Sequence, residues 1–278
     1  MKKITTGLIY NKESYELSSE QKIVHTVIYD QYKNPHLTLL ISKVSEAINP
    51  DLPNNHIGEG DNIDTFLQHQ KKVRFIINGG FNHYRKNFYD WKHQNFNIGD
   101  PVGIVKIREH YFEDFLSLEN YGFLVQKDKG LPWDIITPKE YSKEYKYILG
   151  CTPLLIYDGK SIILNEHIMK PVDIGKINPP SILGHGMQNH PRTAVGMKNG
   201  NLYFFIVEGD DNQGGCTLYD LQQLGQMFKL DKLLNLDGGG SSQFRLIEHE
   251  KIIQNYIAPK DINRKLGHVL VIFDKTLK

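Results

Sequence analysis

The chain has 278 residues, 33 of them lysine or arginine and 32 aspartate or glutamate, for a formal net charge of +1. So even a balance lacks the long-range field of a nucleic-acid or anionic-membrane binder, and no apolar run approaches the ~20 residues of a membrane helix. Hydrophobic residues make up 40%, with 15 tyrosines and 13 phenylalanines, enough for a substantial core and too much for a disordered chain.

The charged opening, Met1 to Thr6, is cut off by Asn11-Lys12-Glu13 before a signal-peptide core can form, so the chain reads as unexported, cytoplasmic or intracellular. Residues 47–64 crowd Asn, Pro, Asp and Gly and predict a loop after an N-terminal strand region. No repeat or Ser/Pro/Gly linker marks a boundary, so a single compact domain over residues 1–278 is expected. Residues 73–77 are a β-rich run, followed at once by Asn78-Gly79-Gly80-Phe81, which predicts a small-residue turn at a strand end. Residues 151–157 and 161–164 flank Asp158-Gly159, and residues 193–197 and 202–207 flank Asn199-Gly200. Both dipeptides reach positive φ cheaply, so two hairpins are predicted.

His190-Pro191-Arg192 stands at the entrance of the second hairpin, where a planar guanidinium suits phosphate or carboxylate. Glu208-Gly-Asp-Asp-Asn212 leaves its far end as an acidic loop, able to brace a structural divalent ion, although the full calcium-loop pattern is missing. Thr217 caps a helix in which Leu218, Leu221, Leu224 and Phe228 share one face, with Asp220 in its first turn. A buried strand over residues 233–236 then delivers Asp237 to the turn Gly238-Gly239-Gly240-Ser241-Ser242. Three glycines let backbone amides approach a ligand beside two hydroxyls and a carboxylate. Residues 268–273 form a last strand. The fold class expected is α+β, a strand-rich mixed or antiparallel sheet core with few helices. Cys151 and Cys216 have no Cys-x-x-Cys partner and read as structural thiols, with a bridge between them left open, and the twelve histidines show no metal spacing.

In order, Asn78-Gly-Gly-Phe81, Cys151-Thr-Pro-Leu-Leu-Ile-Tyr-Asp-Gly159, His190-Pro-Arg-Thr-Ala-Val-Gly196, Cys216-Thr-Leu218 and Asn235-Leu-Asp-Gly-Gly-Gly-Ser-Ser242 resemble the phosphodiester glycosidase family over about residues 73–273. The chain departs from the family's pattern at Asn82, where a second aromatic is common, and at Asp210, where arginine is common. The resemblance is therefore read for the reaction class and not for the sugar. It implies hydrolysis at the anomeric carbon of a small-molecule or glycan sugar-1-phosphodiester, without a required cofactor or catalytic metal. Asp237 is the first carboxylate for this chemistry and Glu208 the second, with Arg192 facing the phosphate. Asn78, Gly79, Gly80, Phe81, His190, Thr217, Gly238, Gly239, Gly240, Ser241 and Ser242 are expected to line the substrate site. Two other readings are a hydrolase with Ser241 or Ser242 as nucleophile and His185 or His190 as base, and a carbohydrate- or nucleotide-binding module without turnover.

Overall fold

Runs of Val, Ile, Phe and Tyr, broken by Gly, Asn and Asp, put about half of the described residues into strands. The computed structural model describes residues 2–5, 7–33, 36–41, 60–68, 70–82, 101–113, 121–162, 186, 188–209, 214–259 and 264–274. Among these, strands numbered along the chain pair antiparallel into three sheets. The first runs in the order β1 (Lys2–Thr5), β2 (Leu8–Leu17), β3 (Glu20–Tyr29), β14 (Asn201–Val207), β13 (Arg192–Lys198), β15 (Lys232–Asn235), β11 (Leu154–Tyr157) and β12 (Lys160–Ser161). The second is β17 (Lys251–Ile257), β16 (Gln243–Glu248), β5 (Val73–Asn78), β18 (His268–Phe273) and β4 (Leu37–Ile41). The third is β7 (His110–Glu113), β6 (Ile104–Ile107), β10 (Tyr147–Cys151), β8 (Gly122–Gln126) and β9 (Trp133–Ile136). The α-helices of the described residues are α1 (Ile63–Gln68) and α2 (Leu218–Met227).

Both predicted hairpins form. Lys198 pairs with Asn201, and the two residues between them, Asn199 and Gly200, have φ of 49° and 76°, the paired positive values of a type I′ turn. Asp158 and Gly159 do the same between β11 and β12, although β12 is only two residues long and residues 163 onward lie outside the described chain. Most of the loop expected over 47–64 also lies outside it; its last two residues, Ile63 and Asp64, instead open α1, where Asn62 Oδ1 accepts from Thr65 N at 2.8 Å. The β6 to β10 sheet and the pairing of the N-terminal strands were not predicted.

Alternation along β13 and β14 divides the apolar residues between two cores. Val195, Phe204 and Ile206 point to the second sheet, where Phe75, Phe244 and Leu270 meet them and Leu124, Ile135 and Leu149 of the third sheet close the side. Ala194, Phe205 and Val207 point the other way, onto Leu218, Leu221 and Leu224 of α2. That helix begins as its sequence demands: Thr217 Oγ1 accepts from Asp220 N at 3.1 Å and donates to Asp220 Oδ2 at 2.8 Å. The Asp220 carboxylate also accepts from Ser18 of the β2–β3 turn, which ties the helix start to the N-terminal strands.

One polar residue joins the first and second sheets. Asn78, the last residue of β5, is fully buried. Its Nδ2 donates to the carbonyls of Asp237 at 2.8 Å and Gly79 at 3.2 Å, while its Oδ1 accepts from Thr193 Oγ1 at 3.0 Å and Gln243 N at 3.2 Å. An amide side chain has two donors and two acceptor lone pairs, so its capacity is fully used, and the backbone partners dictate which end is oxygen. Asn78→Asp keeps the volume but sets an oxygen against two carbonyl oxygens. It is expected to cost about 2–5 kcal/mol, read as a lower urea midpoint at unchanged slope. An unaltered midpoint would show that the seam does not depend on this residue.

Candidate functional site

β13 starts at Arg192 opposite Val207 of β14, and β15, on its other side, ends at Asn235 opposite Ala194. Glu208, Pro191 and Asp237 therefore leave the same end of three adjacent strands, with roughly 10 Å, two strand spacings, between the backbones of the two acids. Asn78 brings β5 to the same rim.

Asp237 is held by its backbone. Its N–H donates to Gly79 O at 3.2 Å and its carbonyl accepts from Asn78. The carboxylate accepts from the Gly238 amide and the Ser241 hydroxyl, and the positive charge of Arg264 acts on it. Burial dominates these three stabilising influences and raises its pKa from 3.8 to about 6. Arg264 Nε in turn donates to Ser241 Oγ at 3.3 Å, so one hydroxyl links the carboxylate to the cation.

The turn that follows is closed by its own amides. Gly239 N donates to Pro191 O at 2.8 Å, Ser241 N to Gly238 O at 3.1 Å and Ser242 N to Gly239 O at 3.1 Å. The cradle of open amides expected over Gly238, Gly239 and Gly240 is therefore a short 3-10 turn, Gly239–Ser241, in which those of Gly238 and Gly239 are already used. Ser241 and Ser242 are both fully buried. Ser241 bonds Asp237 and Arg264, and Ser242 Oγ lies 3.1 Å from Thr193 Oγ1, whose own hydrogen goes to Asn78. Neither serine has a histidine partner among the described residues, and His185 lies outside them.

Arg192 is turned inward. It is 5% exposed, with Nε on the Cys216 carbonyl at 2.9 Å and an Nη on the Gln188 carbonyl at 2.8 Å. Burial lowers it to about 10, against the opposing influence of Cys216 and Asp220, and it is still a full cation at neutral pH. Its place is under the turn: a Cβ on Gly238 would lie 3.7 Å from Arg192 Cδ. His190 and Cys216 exchange backbone hydrogen bonds of 2.9 and 3.3 Å, and Gly215 packs so closely on them that a Cβ there would fall 2.1 Å from the His190 carbonyl. With φ of +74° as well, Gly215 has no tolerated replacement. The His190 ring, half-exposed, bonds Gln188 Oε1 at 3.0 Å. Thr217, expected among the substrate contacts, is occupied as the cap of α2.

Gly79 and Gly80 allow a close packing of chains. Gly80 N donates to His268 Nε2 at 3.2 Å, and Cβ atoms here would meet His268 Cδ2 at 2.7 Å and Cys151 Sγ at 3.3 Å. His268 is fully buried and pushed down to about 4 by that burial, so it is a neutral ring whose Nε2 accepts. Phe81 packs on the main core. Cys151 and Cys216 are buried free thiols, both raised by burial.

Glu208 sits on the other side of the rim. Its Oε1 meets Lys12 Nζ at 2.7 Å and His25 Nε2 at 2.5 Å, and His25 Nδ1 meets Tyr10 OH at 2.8 Å. Burial pushes the Glu208 carboxyl up, but Lys12 and His25 outweigh it and hold the group below its ordinary value. Burial lowers His25, so the neutral ring donates from Nε2 to Glu208 and accepts the Tyr10 hydroxyl at Nδ1. The two acids are thus driven apart, Asp237 toward protonation and Glu208 toward the anion. The rest of the acidic loop expected to brace an ion, Asp210 to Asn212, lies outside the described residues, among which no group of three or more His, Cys, Asp or Glu side chains is placed to hold a metal.

Sequence reasoning missed Arg264, which precedes β18 without any motif, and the partners of Glu208, which come from strands β2 and β3 far away in the chain. No helix among the described residues is long and apolar enough to cross a membrane.

Comparison with known proteins adds three findings. Residues 71–273 match the phosphodiester glycosidase family. The fold is similar to the zebrafish N-acetylglucosamine-1-phosphodiester alpha-N-acetylglucosaminidase catalytic domain auto-inhibited by its pro-peptide, with a TM-score of 0.65 at 17% identity over 98% of this chain and 85% of that one. It is also similar to a hypothetical protein from Synechocystis, with a TM-score of 0.59 at 14% identity over 97% of this chain and 62% of that one. A search among curated protein sequences finds no match. With most of its length matched, and with the family's turns meeting at one rim of the fold, the chain belongs to the phosphodiester glycosidase family.

Proposed function

We propose that this protein hydrolyses the glycosidic bond of a sugar-1-phosphodiester, giving free sugar and a phosphomonoester. The observation that carries the reading is Asp237: a carboxylate raised to about 6, presented at a strand end, with a cation joined to it through one hydroxyl. A base with a pKa near the working pH combines a large ionised fraction with a strong pull on a proton. In this reading Asp237 takes a proton from water as the water oxygen bonds to the anomeric carbon. The bond from that carbon to the phosphate oxygen breaks, and its electron pair stays on the phosphate. The leaving group gains a negative charge, so the site needs a cation more than it needs a strong acid. Glu208, held below its ordinary pKa by Lys12 and His25, is the second carboxylate of the same rim, in the stabilising role that positive charge developing at the sugar carbon calls for.

The experiment is product analysis on a panel of sugar-1-phosphodiesters that includes an N-acetylglucosamine member. Release of reducing sugar with a phosphomonoester supports the reading, release of sugar phosphate indicates a phosphodiesterase, and binding without release indicates a non-catalytic module.

Because Asp237 must be ionised, kcat/KM is expected to fall about tenfold per pH unit below about pH 6. Asp237→Asn should abolish turnover in a folded protein. It should also alter stability with a definite sign. The folded-state pKa lies above the unfolded one, so Asp237 favours folding while protonated and loses that contribution as pH rises through about 6. The asparagine variant is therefore expected to be more stable than the parent at pH 7.5, by about 1–3 kcal/mol, and close to it at pH 4. Wild-type kcat in this variant, or a stability difference of opposite sign, would remove Asp237 from its role.

The reading also assigns no divalent ion to the reaction, since the positive charge that acts on Asp237 is that of Arg264. Turnover is expected to survive exhaustive chelation with circular dichroism unchanged. A folded but inactive metal-free protein, restored by one equivalent of a divalent ion, would overturn that part.

A further inference from the structure

We infer that Arg264 is the residue that receives the phosphate of the ligand, and that Arg192, despite its place in the Pro-Arg-Thr segment, braces the floor beneath it. This rests on the function proposed above and names the part of the site that reads the phosphodiester.

The two arginines differ in what surrounds them. Arg192 is 5% exposed and its Nε and Nη donate to the carbonyls of Cys216 and Gln188, contacts that an incoming anion would have to break. Its charge is felt by Cys216 and lies near Asp220, on the α2 side of the first sheet. Arg264 is half-buried on the approach to β18 and places Nε 3.3 Å from Ser241 Oγ. That hydroxyl also bonds the Asp237 carboxylate, so cation and carboxylate are anchored on the same turn, Gly239–Ser241. The phosphate oxygen of a sugar-1-phosphodiester is bonded to the anomeric carbon itself, so a cation anchored on the turn beside Asp237 is within reach of the phosphate of a sugar placed there. A guanidinium is suited to this task because its planar fork donates in pairs to phosphate oxygens. The phosphate becomes more negative as the glycosidic bond breaks, so the interaction strengthens in the transition state and affects kcat as well as KM.

The test uses inorganic phosphate as a binding probe alongside kinetics on a sugar-1-phosphodiester and on a neutral glycoside of the same sugar. The wild type is expected to bind inorganic phosphate in isothermal titration, more weakly as salt is raised. Arg264→Gln should weaken that binding at least about tenfold and lower kcat/KM on the diester about 100-fold, with a much smaller loss on the neutral glycoside. Arg264→Lys keeps the charge, loses the fork and is expected to fall between them; it decides the matter if the glutamine variant does not fold. Equal phosphate affinity in the wild type and a folded variant, no phosphate binding by the wild type at millimolar concentration, or an equal proportional loss on both substrates would each overturn the assignment. If phosphate binding depends on Arg264 but no diester yields reducing sugar, the anion site stands and the hydrolytic reading falls.

Discussion

A single buried amide holds this architecture in register. Among the described residues one backbone bond, from Asp237 N to Gly79 O, crosses from the end of β5 to the turn after β15. Asn78 reinforces that crossing, with both amide hydrogens and both lone pairs committed to groups that would otherwise be buried without partners. Thr193, Gln243, Gly79 and Asp237 belong to four different segments, and all four are placed by reference to one side chain. Because the two backbone carbonyls can only accept, and Gln243 N can only donate, the geometry has a single solution. The position of Asp237 is therefore fixed from behind, by its carbonyl, and its carboxylate is left to the rim.

The electrostatics of the rim follow from which strands arrive there. At Asp237 the charge of Arg264, the Ser241 hydroxyl and the Gly238 amide favour the anion, and burial outweighs them. Glu208 emerges beside β2 and β3, which bring Lys12 and His25 to it, and there the partners win. Two carboxylates of similar intrinsic acidity thus acquire opposite tendencies at the end of one sheet, a separation that acid–base chemistry with two distinct roles requires.

Much of the local structure was legible in the chain. Asn199-Gly200 and Asp158-Gly159 specify their turns by the φ values they permit, and Thr217 with Asp220 specifies the start of α2 by a capping pattern confined to four residues. What was not legible is long-range. The glycines after Asp237 promised open amides, but a 3-10 turn spends Gly239 N on Pro191, nearly fifty residues earlier. Arg192 reads as a clamp for phosphate or carboxylate at a strand entrance, but the carbonyls of Gln188 and Cys216 hold its guanidinium, and no periodicity announces those partners. Arg264 carries no local signal, since its significance depends on β18 running between β4 and β5 and so bringing the preceding residues to Ser241.

The same topology bears on how the chain reaches its fold. β4 pairs with β18, Leu37 against Ile272, and β3 pairs with β14, Val24 against Val207. The earlier strands are thus completed by partners made much later, and among the described residues the second sheet joins β4 to β5 through β18. Contacts so distant along the chain carry a large loop-closure cost before they give any return, so folding is expected to be slow and late in synthesis. Until β18 emerges, β4 and β5 present unpaired backbone edges rich in Val, Ile, Leu and Phe, the kind of surface on which chains pair with one another. Residues 268–273 are in this sense a keystone: they add only six residues of strand, but they close two edges that otherwise favour association between molecules.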